Sequence, residues 1–188
     1  MPGNAAQVGC MSTGRGDLPH ILTTGSRSGE IINFDVRKQN PIVSKFVKHE
    51  QEVTGLKWNP NGQYLASGGN DNTVNIWMND IGTTEAQPLH SLTDHMASVK
   101  ALAWCPWKHT LLASGGGTAD KSVKLWNITN GAKALEFDTG CQVAGILWNQ
   151  EYREIITAGG FPSNALSLWK YPKFALVKEL EVFILIIF

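Results

Sequence analysis

The sequence has no surplus of charge: 16 basic residues balance 16 acidic ones over 188 positions. The charges are scattered, so no field or charged block would draw nucleic acid or an anionic membrane. Cysteine is scarce. Cys10, Cys105 and Cys141 are odd in number, far apart and outside CxxC spacing. That argues against a disulfide frame or a zinc site and reads as small buried thiols in a reducing compartment. The first twenty residues hold no continuous apolar segment, so no secretory leader is read there. The one long apolar run, "VFILIIF" at 182–188, is seven residues long and too short to span a membrane. Helical periodicity longer than a turn is absent as well.

What is present is glycine (19) and tryptophan (7), and the tryptophans are periodic. Phe34, Trp77, Trp126 and Trp169 each close an alternating run, at intervals of 43, 49 and 43 residues. Trp58, Trp104 and Trp148 close "VTGLKW", "VKALAW" and "VAGILW", at intervals of 46 and 44. Two interlocked aromatic series with one period of roughly 40 to 45 residues predict an all-β propeller built of repeated blades. Four units are read, at about 7–48, 49–94, 95–137 and 138–180. A short edge, 1–6, precedes them, and a hydrophobic tail foreign to the pattern, 181–188, follows. In the second unit the spacing predicts strands at Val53–Trp58, Tyr64–Ser67, Thr73–Trp77 and roughly Gln87–Leu92. Asn59-Pro60-Asn61-Gly62 is the turn between the first two, since proline presets one backbone angle and Asn-Gly tolerates the left-handed one.

These units resemble WD40 repeats. The resemblance implies a hydrogen-bonded tetrad of His, Ser or Thr, Asp and Trp in each blade. The second unit carries His49, Ser67, Asp71 and Trp77, and the third carries His95, Ser114, Asp120 and Trp126. The third has two extra residues in its glycine turn. In the fourth, Thr157 and Trp169 remain, with Gly140 or a neighbour in the His place and Asn164 in the Asp place. The first keeps Thr24, with Phe34 in the Trp place. A buried carboxylate needs donors, which the His N–H and the neighbouring hydroxyl supply, so these are structural groups. A catalytic Ser/His/Asp reading is poor because a triad does not recur blade by blade.

"GGNDN", "WCPW" and "GGGTAD", with "QEV", "GSRSG" and "WKYP", are more specific than the generic repeat. In their order they resemble the Fizzy family, activators of the anaphase-promoting complex, a ubiquitin ligase. "WCPW" leans to the Fizzy branch and "DTGCQV" to the Fizzy-related one, so mitotic and late-mitotic assignments both stay open. The resemblance implies a ring of about seven blades, of which four make an open arc, and a truncated form of the activator. It implies binding of the Lys-Glu-Asn degron through Asn70, Asn72, Thr118 and Gln142, whose amide and hydroxyl groups suit a lysine and a carboxamide. The implied partners are anaphase-promoting complex subunits, Lys-Glu-Asn substrates and checkpoint inhibitors, in nucleus and cytoplasm. No nucleic acid, membrane, cofactor or metal enters this reading.

Two other readings stand beside it. One is a WD40 protein–protein scaffold that has lost ligase activation. The other is an enzyme. Against the enzyme, "GGGTADKS" lacks the GxxxxGK spacing of a phosphate loop. His20, His90 and His109 show no ligand spacing and are expected in loops. The end units are expected to leave apolar faces open to water and prone to aggregation.

Overall fold

In a computed structural model of the chain, residues 6–79, 86–160 and 163–181 are described. The first sheet contains β1 (Val8–Thr13), β2 (Ile21–Ser26), β3 (Glu30–Asp35) and β4 (Ile42–Val47). The second contains β5 (Val53–Trp58), β6 (Tyr64–Gly69), β7 (Val74–Met78) and β8 (His90–Leu92). The third contains β9 (Val99–Trp104), β10 (Leu111–Gly116), β11 (Ser122–Asn127) and β12 (Ala132–Asp138). The fourth contains β13 (Val143–Asn149), β14 (Glu154–Gly159), β15 (Ala165–Lys170) and β16 (Ala175–Glu181). Each sheet is an antiparallel meander in chain order, and no helix occurs among the described residues.

The first strands of the four sheets stand side by side around one axis. Thr54 Oγ1 on β5 donates to Val99 O on β9 at 2.7 Å. Trp104 Nε1 donates to Lys57 O at 2.8 Å, and Trp148 Nε1 to Ala103 O at 3.1 Å, each reaching the preceding sheet. Glycine lets these strands approach. A Cβ on Gly55 would press on the carbonyl oxygen of Lys100, and one on Gly68 on that of Val99. The result is the arc of a propeller, with the sheets stacked as sectors.

Three apolar clusters fill the gaps between successive sheets. Trp77 packs with Ile21, Ile31 and Phe46 of the first sheet, its ring stacked on Phe46 at 4.8 Å. Trp126 packs with Val74, Ile76 and Leu92 of the second, and Trp169 with Ala113, Val123 and Leu125 of the third. Each closing tryptophan therefore fills the joint to the sheet before it. Hiding about 200 Å² of such a ring stabilises by about 5 kcal/mol at about 25 cal/mol per Å². Trp107 of "WCPW" lies edge-on to Trp148 at 5.3 Å and to Tyr171 at 5.6 Å, and Cys105 of the same motif is buried.

Among the described residues the outer face of the fourth sheet is open. On the fourth sheet the side away from the third carries Leu147, Leu166 and Leu180, exposed to 64%, 37% and 49%. All three cysteines are free, and Cys10 is only half-buried, unlike Cys105 and Cys141.

Two local expectations need correction. The fourth strand of the second sheet is shorter than Gln87–Leu92, because Pro88 has no N–H to give β7 and pairing resumes with Leu89 N to Ile76 O at 2.7 Å. His90 is not in a loop. It lies on β8, where Nε2–H donates to Ile128 O of the third sheet at 2.8 Å. The tail at 182–188 lies outside the described residues.

Candidate functional site

In the second sheet Trp77 Nε1 donates to Ser67 Oγ at 2.9 Å. His49 Nε2 lies 2.8 Å from the same hydroxyl, and His49 Nδ1 lies 2.9 Å from Asp71 Oδ2. A carboxylate only accepts, so the proton sits on Nδ1 and the Ser67 hydroxyl donates to Nε2. The third sheet repeats the chain: Trp126 to Ser114, Ser114 to His95 and His95 to Asp120, each at 2.7 Å. Burial pushes both imidazoles below the ordinary histidine value and outweighs the attraction of their aspartates. Burial tends to raise Asp120, but hydrogen bonds from Ser122 Oγ, Met96 N and His95 prevail and hold it at about 2. Asp71 is lowered in the same way, with Thr73 and His49 overcoming its burial. Ser67 and Ser114 are fully buried and each also accepts from an indole N–H, so neither hydroxyl is open to a substrate.

Where β7 has Asn75, β11 has the buried Lys124. Its Nζ donates to Ser122 Oγ and to Glu136 Oε1 at 2.7 Å, and lies 3.4 Å from Asp120 Oδ1. The alternation of "SVKLW" puts Lys124 on a buried face, but nothing local in the sequence names Glu136 as its partner.

The fourth sheet departs from the expectation. Asn72, Lys121 and Asn164 share a positive φ of 64°, 56° and 47° and one register position, two residues before Val74, Val123 and Leu166. Asn164 therefore matches the residue after the aspartate, and Ser163 occupies the aspartate place. A Cβ on Gly69 would meet Asp71 Oδ1 at 2.6 Å, whereas one on Gly159 would meet Cys141 Sγ at 2.6 Å and Ser163 Oγ at 3.1 Å. A buried thiol thus fills the histidine space, and Trp169 Nε1 still donates to Thr157 Oγ1 at 2.9 Å. In the first sheet Phe34 pairs with Leu22, two residues before Thr24, as Trp77 pairs with Leu65 before Ser67.

The turns at the start of the inner strands form a polar rim. Asn70 Oδ1 accepts from Ser98 Oγ at 2.6 Å, joining the second sheet to the third. Thr118 Oγ1 donates to Gln142 Oε1 at 3.3 Å, joining the third to the fourth. Asn70 Nδ2 points to Glu52 Oε2 at 3.5 Å. Glu52, Ser98 and Gln142 each immediately precede an inner strand, so they line the rim at equivalent places. Asn70 N donates to Glu52 O at 2.9 Å, as Gly160 N does to Gln142 O at 2.8 Å. The structure brings Asn70, Thr118 and Gln142 into this row. Asn72 stands at the tip of the same turn, half-buried, and no side-chain hydrogen bond links it to the row among the described residues. Glu52 and Ser98 were missed in the sequence; "QEV" held Glu52, and the shared position before each inner strand is the signal that finds both.

The profile described as CDC20/Fizzy WD40 domain matches residues 1–183. The chain belongs to the CDC20/Fizzy WD40 family. Within that family it is 47% identical over 180 residues to "Cell division cycle 20.1, cofactor of APC complex" of Arabidopsis thaliana, covering 95% of this chain and 38% of that protein. It is 44% identical over 182 residues to "WD repeat-containing protein slp1" of Schizosaccharomyces pombe, covering 97% and 36%. The CDC20/Fizzy fold is shared with a chain in "Crystal Structure of Mitotic Checkpoint Complex" at a TM-score of 0.89 and 42% identity, covering 97% of this chain and 54% of that one. This CDC20/Fizzy chain thus spans well under half the length of the curated relatives.

Proposed function

We propose that this chain supplies the degron-recognising part of an activator of the anaphase-promoting complex, working in cell division. The observation that carries the reading is the polar row made by Asn70 with Ser98 and Thr118 with Gln142 across three successive sheets. Its chemistry suits a Lys-Glu-Asn motif. The half-buried Glu52 has no ion pair among the described residues and offers a carboxylate to the lysine. The hydroxyls of Ser98 and Thr118, which donate to Asn70 and Gln142 in the unbound chain, turn their single protons to the glutamate on binding and free both carboxamide oxygens. The carboxamides of Asn70, Asn72 and Gln142 match that of the asparagine, donor to acceptor and acceptor to donor. Backbone bonds from Asn70 N and Gly160 N brace the rim, so little ordering is left to binding.

Substrates bearing that motif, checkpoint inhibitors and the subunits of the ligase are the partners on this reading, in nucleus and cytoplasm. The role is recognition, with the transfer chemistry left to the ligase. The test is a titration with a Lys-Glu-Asn peptide. Binding of millimolar strength or better is expected, abolished by Asn70→Ala with Asn72→Ala and weakened by Glu52→Gln. A double variant that titrates like the parent protein would move the assignment to an interaction scaffold without degron binding.

A further inference from the structure

At the other end of the inner strands the three tryptophans of the second series come together. Trp58 and Trp104 close β5 and β9, Trp148 stands one residue before the end of β13, and with Pro106, Arg15 and Lys57 they line a recess of about 290 Å³. It lies one strand length, about 17 Å at about 3.3 Å per residue, from the rim that carries Asn70 and Gln142. We propose that this recess is a docking site for an acidic peptide segment that places a proline or aliphatic side chain against the tryptophan surface and a carboxylate beside Arg15 and Lys57.

The indole N–H groups are already committed. Trp58 donates to Thr23 Oγ1 at 2.8 Å, and Trp104 and Trp148 donate to backbone carbonyls of the sheet before them. Trp58 and Trp104, at 3% and 6% exposure, form the floor, and the half-buried Trp148 ring presents apolar surface without a free donor, which suits proline or leucine. Trp148 is half-buried, Leu147 beside it is 64% exposed, and Trp107 holds the Trp148 ring edge-on at 5.3 Å. The surface is thus set before anything binds.

Charge selects the occupant. Arg15 and Lys57 are exposed, and among the described residues neither has a carboxylate within ion-pair distance, although Asp17 and Glu151 are close along the chain or at the same strand ends. Arg153, whose guanidinium lies 6.0 Å from the Trp107 ring, adds to the edge of this aromatic cluster a third cation that has no ion pair among the described residues. A cationic ligand such as a methylated lysine would meet like charge, so the aromatic surface is not a cation cage. The chain as a whole carries no net charge, so the field is local and suits a short segment rather than a nucleic acid. A volume just below the range of about 300–1,000 Å³ typical of small-molecule pockets fits one or two peptide side chains.

The probe is the peptide Asp-Glu-Pro-Leu-Glu-Asp, titrated into the full chain against its amide counterpart Asn-Gln-Pro-Leu-Gln-Asn, with indole N–H resonances as the readout. The acidic peptide is expected to shift the Trp148 and Trp104 signals, and to bind more weakly as salt rises. Arg15→Glu with Lys57→Glu, both at exposed positions, is expected to weaken it about tenfold or more while the urea midpoint holds. Equal binding of the amide peptide, indole signals that stay still, or an unaltered affinity in the charge-reversed variant would each overturn the proposal.

Discussion

Replacing Ser114 by alanine removes one oxygen and little volume, from a site that is 0% exposed. That oxygen accepts from Trp126 Nε1 and donates to His95 Nε2, both at 2.7 Å. Alanine leaves an indole N–H and an imidazole nitrogen buried without partners. An orphaned buried group costs about 1–3 kcal/mol, so the pair costs about 2–6 kcal/mol, against a total stability of about 5–15 kcal/mol for a typical domain. The fourth sheet supplies the internal comparison. Thr157 Oγ1 accepts from Trp169 Nε1 at 2.9 Å, and Cys141 stands where the histidine would be. Thr157→Val should therefore cost about half as much as Ser114→Ala, roughly 1–3 kcal/mol. Urea unfolding followed by tryptophan fluorescence and near-ultraviolet circular dichroism measures both, provided the slope with denaturant is unchanged. Adding Trp126→Phe to Ser114→Ala removes the stranded indole N–H, so the double variant should lose less than the sum of its parts. If Ser114→Ala costs no more than Thr157→Val, or less than about 0.5 kcal/mol, the tetrad is not the hydrogen-bonded chain deduced from its geometry.

Acid should act through the same groups. The folded state holds His49 and His95 below their unfolded value of about 6.5, so their contribution is present above that pH and is lost as pH falls through it. Asp120, held at about 2, adds a second loss between about pH 4 and pH 2. The urea midpoint should therefore drop from pH 7 to pH 5 and again below pH 4, with the first drop reduced in His95→Gln; a flat profile would contradict the burial argument. Gly55→Ala should destabilise by about 1–3 kcal/mol, because its Cβ would strike the Lys100 carbonyl. Gly145→Ala, at the equivalent place in the fourth sheet, meets only Ala158 Cβ at 3.7 Å and should be neutral or gain about 0.4–1 kcal/mol. Thermal unfolding of the two variants side by side checks the close approach of the inner strands.

The sectors were legible in the sequence because their signals are local. Alternation toward Trp77, Trp126 and Trp169 writes strands, although β7 and β11 prove buried on both faces, and Asn59-Pro60-Asn61-Gly62 writes a turn, with Gly62 at φ 72° as that turn requires. The tetrads could be read for the same reason: their members recur at near-constant spacing, and a buried aspartate demands donors. Asn164 was misplaced because spacing alone cannot tell the aspartate position from the left-handed residue after it; the strand register and the shared positive φ decide it. Ser98 against Asn70, Lys124 against Glu136, and the meeting of Trp58, Trp104 and Trp148 around an arginine and a lysine depend on how one strand or sheet stands beside the next. Alternation along a strand says which side chains face inward. The approach and stagger between strands and sheets, which only the tertiary structure sets, say which of them touch.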